Sequence, residues 1–280
     1  MTSSRNRPIR TFALHVLLIA LAVITLVPFI WLVCATFKTK ADSFRYTFLP
    51  NDPSRLTLEN YSSIFHQQPF LVWMINSVFL ACTHTVLVVT LSSLGGFALA
   101  KYRFRGRGAL MLIMLLTMLV PGQVLLLPNY ELMRAWGWMN SYAAILVPSA
   151  VSIFGMFLFR QAMIRVPDEL LQAARIDGCS ELGIWWEVAL PITRPMIGAY
   201  TLLSFMAAWN SFLWPQIILQ TPEKMTLPIG LANMMSLPEY QTNLGILMAG
   251  TLLSILPLAL LFFVLQRDFI SGLASGGVKG

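Results

Sequence analysis

The sequence predicts an all-helical integral membrane protein with six transmembrane helices, on three observations: its composition, the length of its charge-free runs, and the placement of its basic residues. Of 280 residues, 57% are hydrophobic and 11% charged, with 18 Phe and 8 Trp. A soluble chain of this length carries about a quarter charged residues, and a mean hydropathy of +0.70 makes lipid the main solvent. Such a chain is also too apolar to be disordered.

Six runs lack Asp, Glu, Lys and Arg and reach the roughly 20 residues with which a helix crosses about 30 Å of hydrocarbon. They are 12–37, 70–100, 109–130, 135–159, 196–220 and 244–266. Pro28, Pro121, Pro148, Pro215 and Pro257 fall inside them, which kinks a membrane helix without forbidding it. The first run follows a basic flank but exceeds a signal h-region and lacks a small-residue cleavage site, so it reads as a retained span. Cys34, Cys82 and Cys179 have no paired spacing, and support neither a disulfide framework nor a zinc site.

Basic loops stay on the cytoplasmic side. With the N-terminus inside, thirteen of the 19 basic residues fall in inner segments: Arg5, Arg7, Arg10, Lys101, Arg103, Arg105, Arg107, Arg160, Arg165, Arg175, Arg194, Arg267 and Lys279. The outer loops hold Lys38, Lys40, Arg45, Arg55, Arg134 and Lys224. Both termini are therefore expected in the cytoplasm, against the weight of a first outer loop that carries four of those six.

No charged residue lies in any run, although a charge at a helix centre, costing about 2.5 to 3.5 kcal/mol to insert, is what ion-driven pumps keep for coupling. His84 is the one ionisable group deep in a middle run; it reads as a neutral histidine bonded to a neighbouring helix. No G-x-x-x-x-G-K-[ST] loop occurs, and three scattered histidines and three cysteines make no catalytic cluster. The chain is expected to be no enzyme, to bind no cofactor, metal or nucleic acid, and to depend on another chain for any uphill transport.

The inner loop 160–195 carries its own helical signals. Asp168 reads as an N-cap after Pro167, with Glu169 in the first turn. Leu170, Ala173 and Ala174 then share a face, Gly178 stops the helix, and Ser180 with Glu181 restarts a second one that ends before Pro191. Two alanine-faced turns are not stable alone in water. The pattern suits a docking element for a soluble partner and, equally, an interfacial helix anchored by Trp185 and Trp186.

The segment Gln172-Ala173-Ala174-Arg175-Ile176-Asp177-Gly178, followed by Val188, Leu190 and Pro191, resembles the EAA loop of ABC importer permeases: Glu-Ala-Ala, three residues, Gly, then an Ile-x-Leu-Pro ending. Asn76-Ser77, Ala208-Trp209-Asn210, Leu213-Trp214-Pro215 and the tail 272–280 extend the likeness to the carbohydrate-uptake branch, the subunit type of the maltose and glycerol-3-phosphate importers. The resemblance implies a type I importer permease (MetI-like) fold in a bacterial cytoplasmic membrane. It implies a second homologous permease, a cytoplasmic ATPase dimer that binds ATP and Mg, and an extracytoplasmic solute-binding protein. The coupling helix would seat Glu169, Gln172, Ala173, Ala174, Asp177, Gly178, Leu190 and Pro191 against the ATPase. The tail residues Gly276, Gly277, Val278, Lys279 and Gly280 would run along the ATPase dimer. Gln172 replaces the family's Glu and gives up a charge-assisted bond.

The expected organisation is a cytoplasmic segment 1–11, a first span with outer loop 12–69, a permease core 70–266 and a cytoplasmic tail 267–280. Asn76, Ser77, Trp209, Asn210 and Trp214 are candidate pore residues, with Asn210 and Trp214 sharing a face: amides bond sugar hydroxyls and aromatic rings stack on sugar rings. Helix packing explains each of the five as well. The expected function is half of the translocation path for a sugar or related polyol. The alternative is a secondary transporter or channel for a small neutral solute.

Overall fold

The computed structural model describes residues 7–277. The described residues are almost wholly helical, with one isolated bridge between Lys38 and Leu56. In chain order the helices begin with α1 (Arg7–Thr36), α2 (Glu59–Gln67), α3 (Phe70–Lys101), α4 (Arg107–Thr117), α5 (Leu126–Ala135), α6 (Ala143–Ser149) and α7 (Ile153–Ile164). Then come α8 (Asp168–Ile176), α9 (Glu181–Gly183), a π-helical segment (Ile184–Ala189), α10 (Leu190–Ile192) and α11 (Arg194–Trp209). The last four are α12 (Leu213–Ile218), α13 (Leu227–Ser236), α14 (Pro238–Thr242) and α15 (Leu244–Gly277).

Three stretches are long and apolar enough to cross a membrane as single helices, Thr11–Thr36, Phe70–Lys101 and Leu244–Arg267. Two more form as bent pairs: 109–130 folds as Arg107–Thr117 and Gly122–Ala135 at 88°, with Pro121 at the break, and α6 meets α7 at 44°. The expected fourth span is displaced, because Gly137 and Asn140 take positive φ and delay the helix to Ala143. The expected fifth, 196–220, is no continuous helix. α11 stops at Trp209, where Asn210 donates its amide to the Met206 carbonyl at 2.8 Å. Pro215, three residues into α12, has no N–H to offer the Ser211 carbonyl. A side chain competing for backbone and a missing donor together end one helix and start another.

The chain divides into two compact units, Met1–Phe70 with Leu231–Ile255, and Leu71–Gly230 with Leu256–Gly280. In the first, the Asn60 amide donates to the carbonyls of Thr36 (2.8 Å) and Lys38 (2.9 Å), and Gln68 donates to the Tyr240 hydroxyl at 3.0 Å. Lys38 is fully buried, and its ammonium donates to the carbonyls of Tyr46 (2.6 Å) and Thr47 (3.1 Å). Buried Asp42 pairs with Arg55 at 2.5 Å. Two of the four basic residues of the first expected outer loop are thus consumed inside the fold.

In the second unit, Val88, Phe159 and Tyr200 join α3, α7 and α11 in one core. A side chain at Gly155 would collide with the Tyr200 ring and the Ser92 hydroxyl, so close helix approach requires glycine there. A second core gathers Met133, Ala144, Ile218, Leu219 and Ile229.

Candidate functional site

The loop 160–195 forms a third core of this unit. Leu171 and half-buried Ala174 turn inward with Phe97, Met163, Ile184 and Trp185. Leu170 and Ala173 face outward, and Ile176 is 86% exposed. The face expected to unite Leu170, Ala173 and Ala174 is therefore split: Ala174 packs against the chain's own core, and Ile176, which sequence reasoning passed over, stands out beside Ala173. Glu169, Gln172 and Asp177 are exposed.

Asp168 is not the cap expected of it. Extended Pro167 occupies that position, and Asp168 opens the helix with its carboxylate 2.6 Å from the Lys101 ammonium. That hydrogen bond, and then the Lys101 charge, hold its pKa below the ordinary carboxylate value. Lys101 also donates to the Val166 carbonyl at 2.5 Å.

At the other end Gly178 takes φ +83°, its N–H donating to the Arg175 carbonyl (3.1 Å) and that of Cys179 to the Ala174 carbonyl (2.9 Å). This is the Schellman arrangement, whose left-handed residue is glycine for want of a Cβ. Ser180 accepts from the Gly183 N–H at 3.1 Å and caps α9, as expected. Arg175 holds Glu181 through Nε (2.7 Å) and Nη2 (3.0 Å), and the Tyr102 hydroxyl donates to the same carboxylate. The Arg175 bonds, followed by that from Tyr102, pull Glu181 down to about 2. Lys101 and Tyr102, adjacent at the end of α3, thus hold opposite ends of α8.

The second loop helix does not end before Pro191. Through Ile184–Ala189 the backbone widens to a π-helix, with the Leu190 N–H reaching the Trp185 carbonyl, and the helical path continues past Pro191 to Ile192. A wider turn accommodates the proline, and such π segments gather at functional positions. Leu190 is half-buried and Pro191 exposed. Trp185 is buried in the loop core, so of the two tryptophans that would suit the interfacial alternative only Trp186, 64% exposed, is open to a membrane surface.

The pore candidates separate. Asn76 donates to the carbonyls of Glu223 (2.8 Å) and Met225 (2.9 Å), and the Ser77 hydroxyl accepts from the Leu227 N–H at 2.7 Å. Both side chains fasten the strap 223–227. Trp209 is buried and stacked on Phe205, their ring centroids 5.7 Å apart. Asn210 is exposed at the end of α11 and does not share a face with Trp214, because the helix breaks between them. Trp214 donates Nε1 to the Ala144 carbonyl at 3.0 Å, and that acceptor is the one Pro148, four residues on, cannot reach with an N–H. His84 bonds to the Ser149 hydroxyl of a neighbouring helix at 3.1 Å, as expected.

Ser77, His84, Ser149, Ser211, Trp214 and Thr226 line a cavity of about 290 Å3 beside the break between α11 and α12. Its polar residues are dispersed over 150 positions of sequence, and no local motif signals them. Of the tail, Gly276 and Gly277 extend α15, and Val278, Lys279 and Gly280 lie outside the described residues. The Gly- and Ser-rich tail is thus helical as far as Gly277.

Residues 92–273 match the family described as binding-protein-dependent transport system inner membrane component. The chain belongs to that family. A binding-protein-dependent transport permease of this kind performs no catalysis of its own. Relatives include the arabinooligosaccharides transport system permease protein AraQ of Halalkalibacterium halodurans, 38% identical over 99% of this chain and 99% of that protein. The lactose transport system permease protein LacG of Rhizobium radiobacter is 35% identical over the full length of both. The sn-glycerol-3-phosphate permease UgpE of Salmonella typhi is 31% identical over 96% and 97%. Among solved structures, a chain of a bacterial ABC transporter that imports the acidic polysaccharide alginate superposes with a TM-score of 0.82 at 25% identity, covering 96% of this chain and 99% of its own. The permease fold expected from the loop motif is the fold found.

Proposed function

We propose that this permease forms half of the translocation path of an ATP-driven sugar importer in a bacterial cytoplasmic membrane, with both termini in the cytoplasm. The observation that carries the mechanism is the pair of anchors on α8: Lys101 to Asp168 at its start and Tyr102 to Glu181, with Arg175, at its end. A helix so short has little stability of its own. Held at both ends to a membrane-spanning helix, it moves as part of that helix. Leu170, Ala173 and Ile176 then serve as the contact for a cytoplasmic ATPase subunit, and closure of the ATPase dimer pulls on α3 through the two anchors. Glu169, Gln172 and Asp177 border that contact, and Gly178 fixes its shape. ATP and Mg belong to the ATPase; a second permease completes the path, and an extracytoplasmic binding protein delivers the solute.

The sugar assignment rests on relatives named for arabino-oligosaccharides and lactose. Reconstitution in liposomes tests the whole reading. ATP-dependent uptake of an oligosaccharide only when the second permease, the ATPase and the binding protein are all present is the expected result. Uptake by this chain alone, without ATP, would instead make it a secondary transporter or channel.

A further inference from the structure

We infer that the cavity beside the α11–α12 break is a subsite for one neutral sugar unit, so that this permease itself contacts the solute; the inference rests on the sugar-importer reading. Two hydrogen-bond valences point to a ligand. The Thr226 hydroxyl is buried, its residue 5% exposed, and has no partner, although buried polar groups are almost always bonded. Asn76 and Ser77 hold that position by bonding the flanking backbone at Met225 and Leu227.

The second valence follows from counting protons. The Ser149 hydroxyl has one, and donates it to the Ile145 carbonyl at 2.7 Å. With that proton on the carbonyl, the 3.1 Å contact with His84 Nδ1 is assigned as an Nδ1–H donation to the Ser149 oxygen. A neutral imidazole protonated at Nδ1 keeps Nε2 as an acceptor. The cavity thus offers an acceptor on His84, a donor–acceptor hydroxyl on Thr226, a further hydroxyl on Ser211 and the indole of Trp214. That set matches a sugar, whose hydroxyls both give and take protons and whose C–H face stacks on an aromatic ring. A volume of about 290 Å3 lies at the small end of ligand pockets, roughly 300 to 1,000 Å3, and suits one ring of a longer chain. No charged residue lines it, so a neutral unit is favoured over an acidic one.

The test uses the complete importer in proteoliposomes, with Cys34, Cys82 and Cys179 replaced by Ser and Ala207→Cys, at a lining position without a polar side chain, introduced as a probe for a small maleimide. Transported oligosaccharide should slow labelling of that cysteine, and Thr226→Val or His84→Leu should raise the half-protecting concentration about 3- to 10-fold. Thr226→Ser, which keeps the hydroxyl, should restore it. Thr226→Val removes an unbonded polar atom without changing shape, so its fold should be as stable as the parent's. Labelling that ignores the sugar while uptake continues would overturn the subsite and leave the importer standing. Failure of the unmodified assembly to take up any oligosaccharide would overturn the importer reading and the subsite with it.

Discussion

Arg175 and Glu181 face each other across the left-handed turn at Gly178, joined by two hydrogen bonds of 2.7 and 3.0 Å, with Tyr102 on the same carboxylate. The pair closes α8 onto α9 and ties both to α3. An exposed pair of this kind adds only about 0.2 to 1 kcal/mol to stability, so its value is geometric. Arg175→Ala and Glu181→Ala should each lower sugar transported per ATP hydrolysed while leaving assembly intact. The double variant should be little worse than either single one, because both remove the same link. Additive losses in uptake measured against phosphate release would contradict the clamp.

The pH response of that clamp has a fixed sign. Glu181 is pulled down to about 2 in the fold, below the ordinary value near 4.5. Its contribution is therefore complete above about pH 4.5 and disappears as pH falls towards 2. Transport per ATP should show no step due to this pair between pH 5 and 8, and Glu181→Gln should lower it by the same factor at every pH in that window. A deficit that vanished at pH 5 would mean that Glu181 is already protonated there.

Gly178→Val places a β-branched residue at φ +83°, which costs about 1 to 2 kcal/mol or more, and should distort the end of α8 without affecting membrane insertion. Ala173→Trp and Ile176→Asp alter exposed positions, so the chain should remain as heat-stable as the parent. All three should lose the ATPase in co-purification and should lose uptake. Normal ATPase recovery with all three would remove α8 from the interface.

How much of this was legible beforehand depended on the distance over which each interaction acts. Charge-free runs reveal the long spans at 12–37, 70–100 and 244–266 because insertion into lipid is decided by local hydropathy. The Gly178 stop and the Ser180 cap were readable because each is satisfied within a few residues. The break at Asn210 was not, since Pro215 alone permits a kinked but continuous helix and it is the Asn210 bond to Met206 that completes the break. Nor was the inward face of α8: periodicity groups Leu170 with Ala173 and Ala174, whereas the packing partners Phe97 and Met163 select Leu171 and Ala174. The cavity was least legible, because His84, Ser149, Ser211 and Thr226 converge only after the chain has folded.

Removal of 272–280 shortens α15 by the six residues 272–277 and takes away Gly276, Gly277, Val278, Lys279 and Gly280. If this tail reaches the ATPase dimer, sugar-stimulated ATP hydrolysis should fall while the amount of permease in the membrane stays unchanged. Equal stimulation by the truncated and full chains would show that the tail plays no part in coupling.

Trp214 and Pro148 are energetically linked through one carbonyl. Pro148 cannot return an N–H to Ala144, and the Trp214 indole supplies the donor from α12 at 3.0 Å. A buried carbonyl left without a partner costs about 1 to 3 kcal/mol, so Trp214→Phe should destabilise the detergent-solubilised protein by about that amount. In a Pro148→Ala background the backbone N–H of residue 148 becomes available to the same carbonyl. Trp214→Phe should then cost measurably less, and the two substitutions should be non-additive in thermal unfolding. Equal penalties in both backgrounds would mean that the indole contributes through its ring alone, with no part in completing the helix that the proline interrupts.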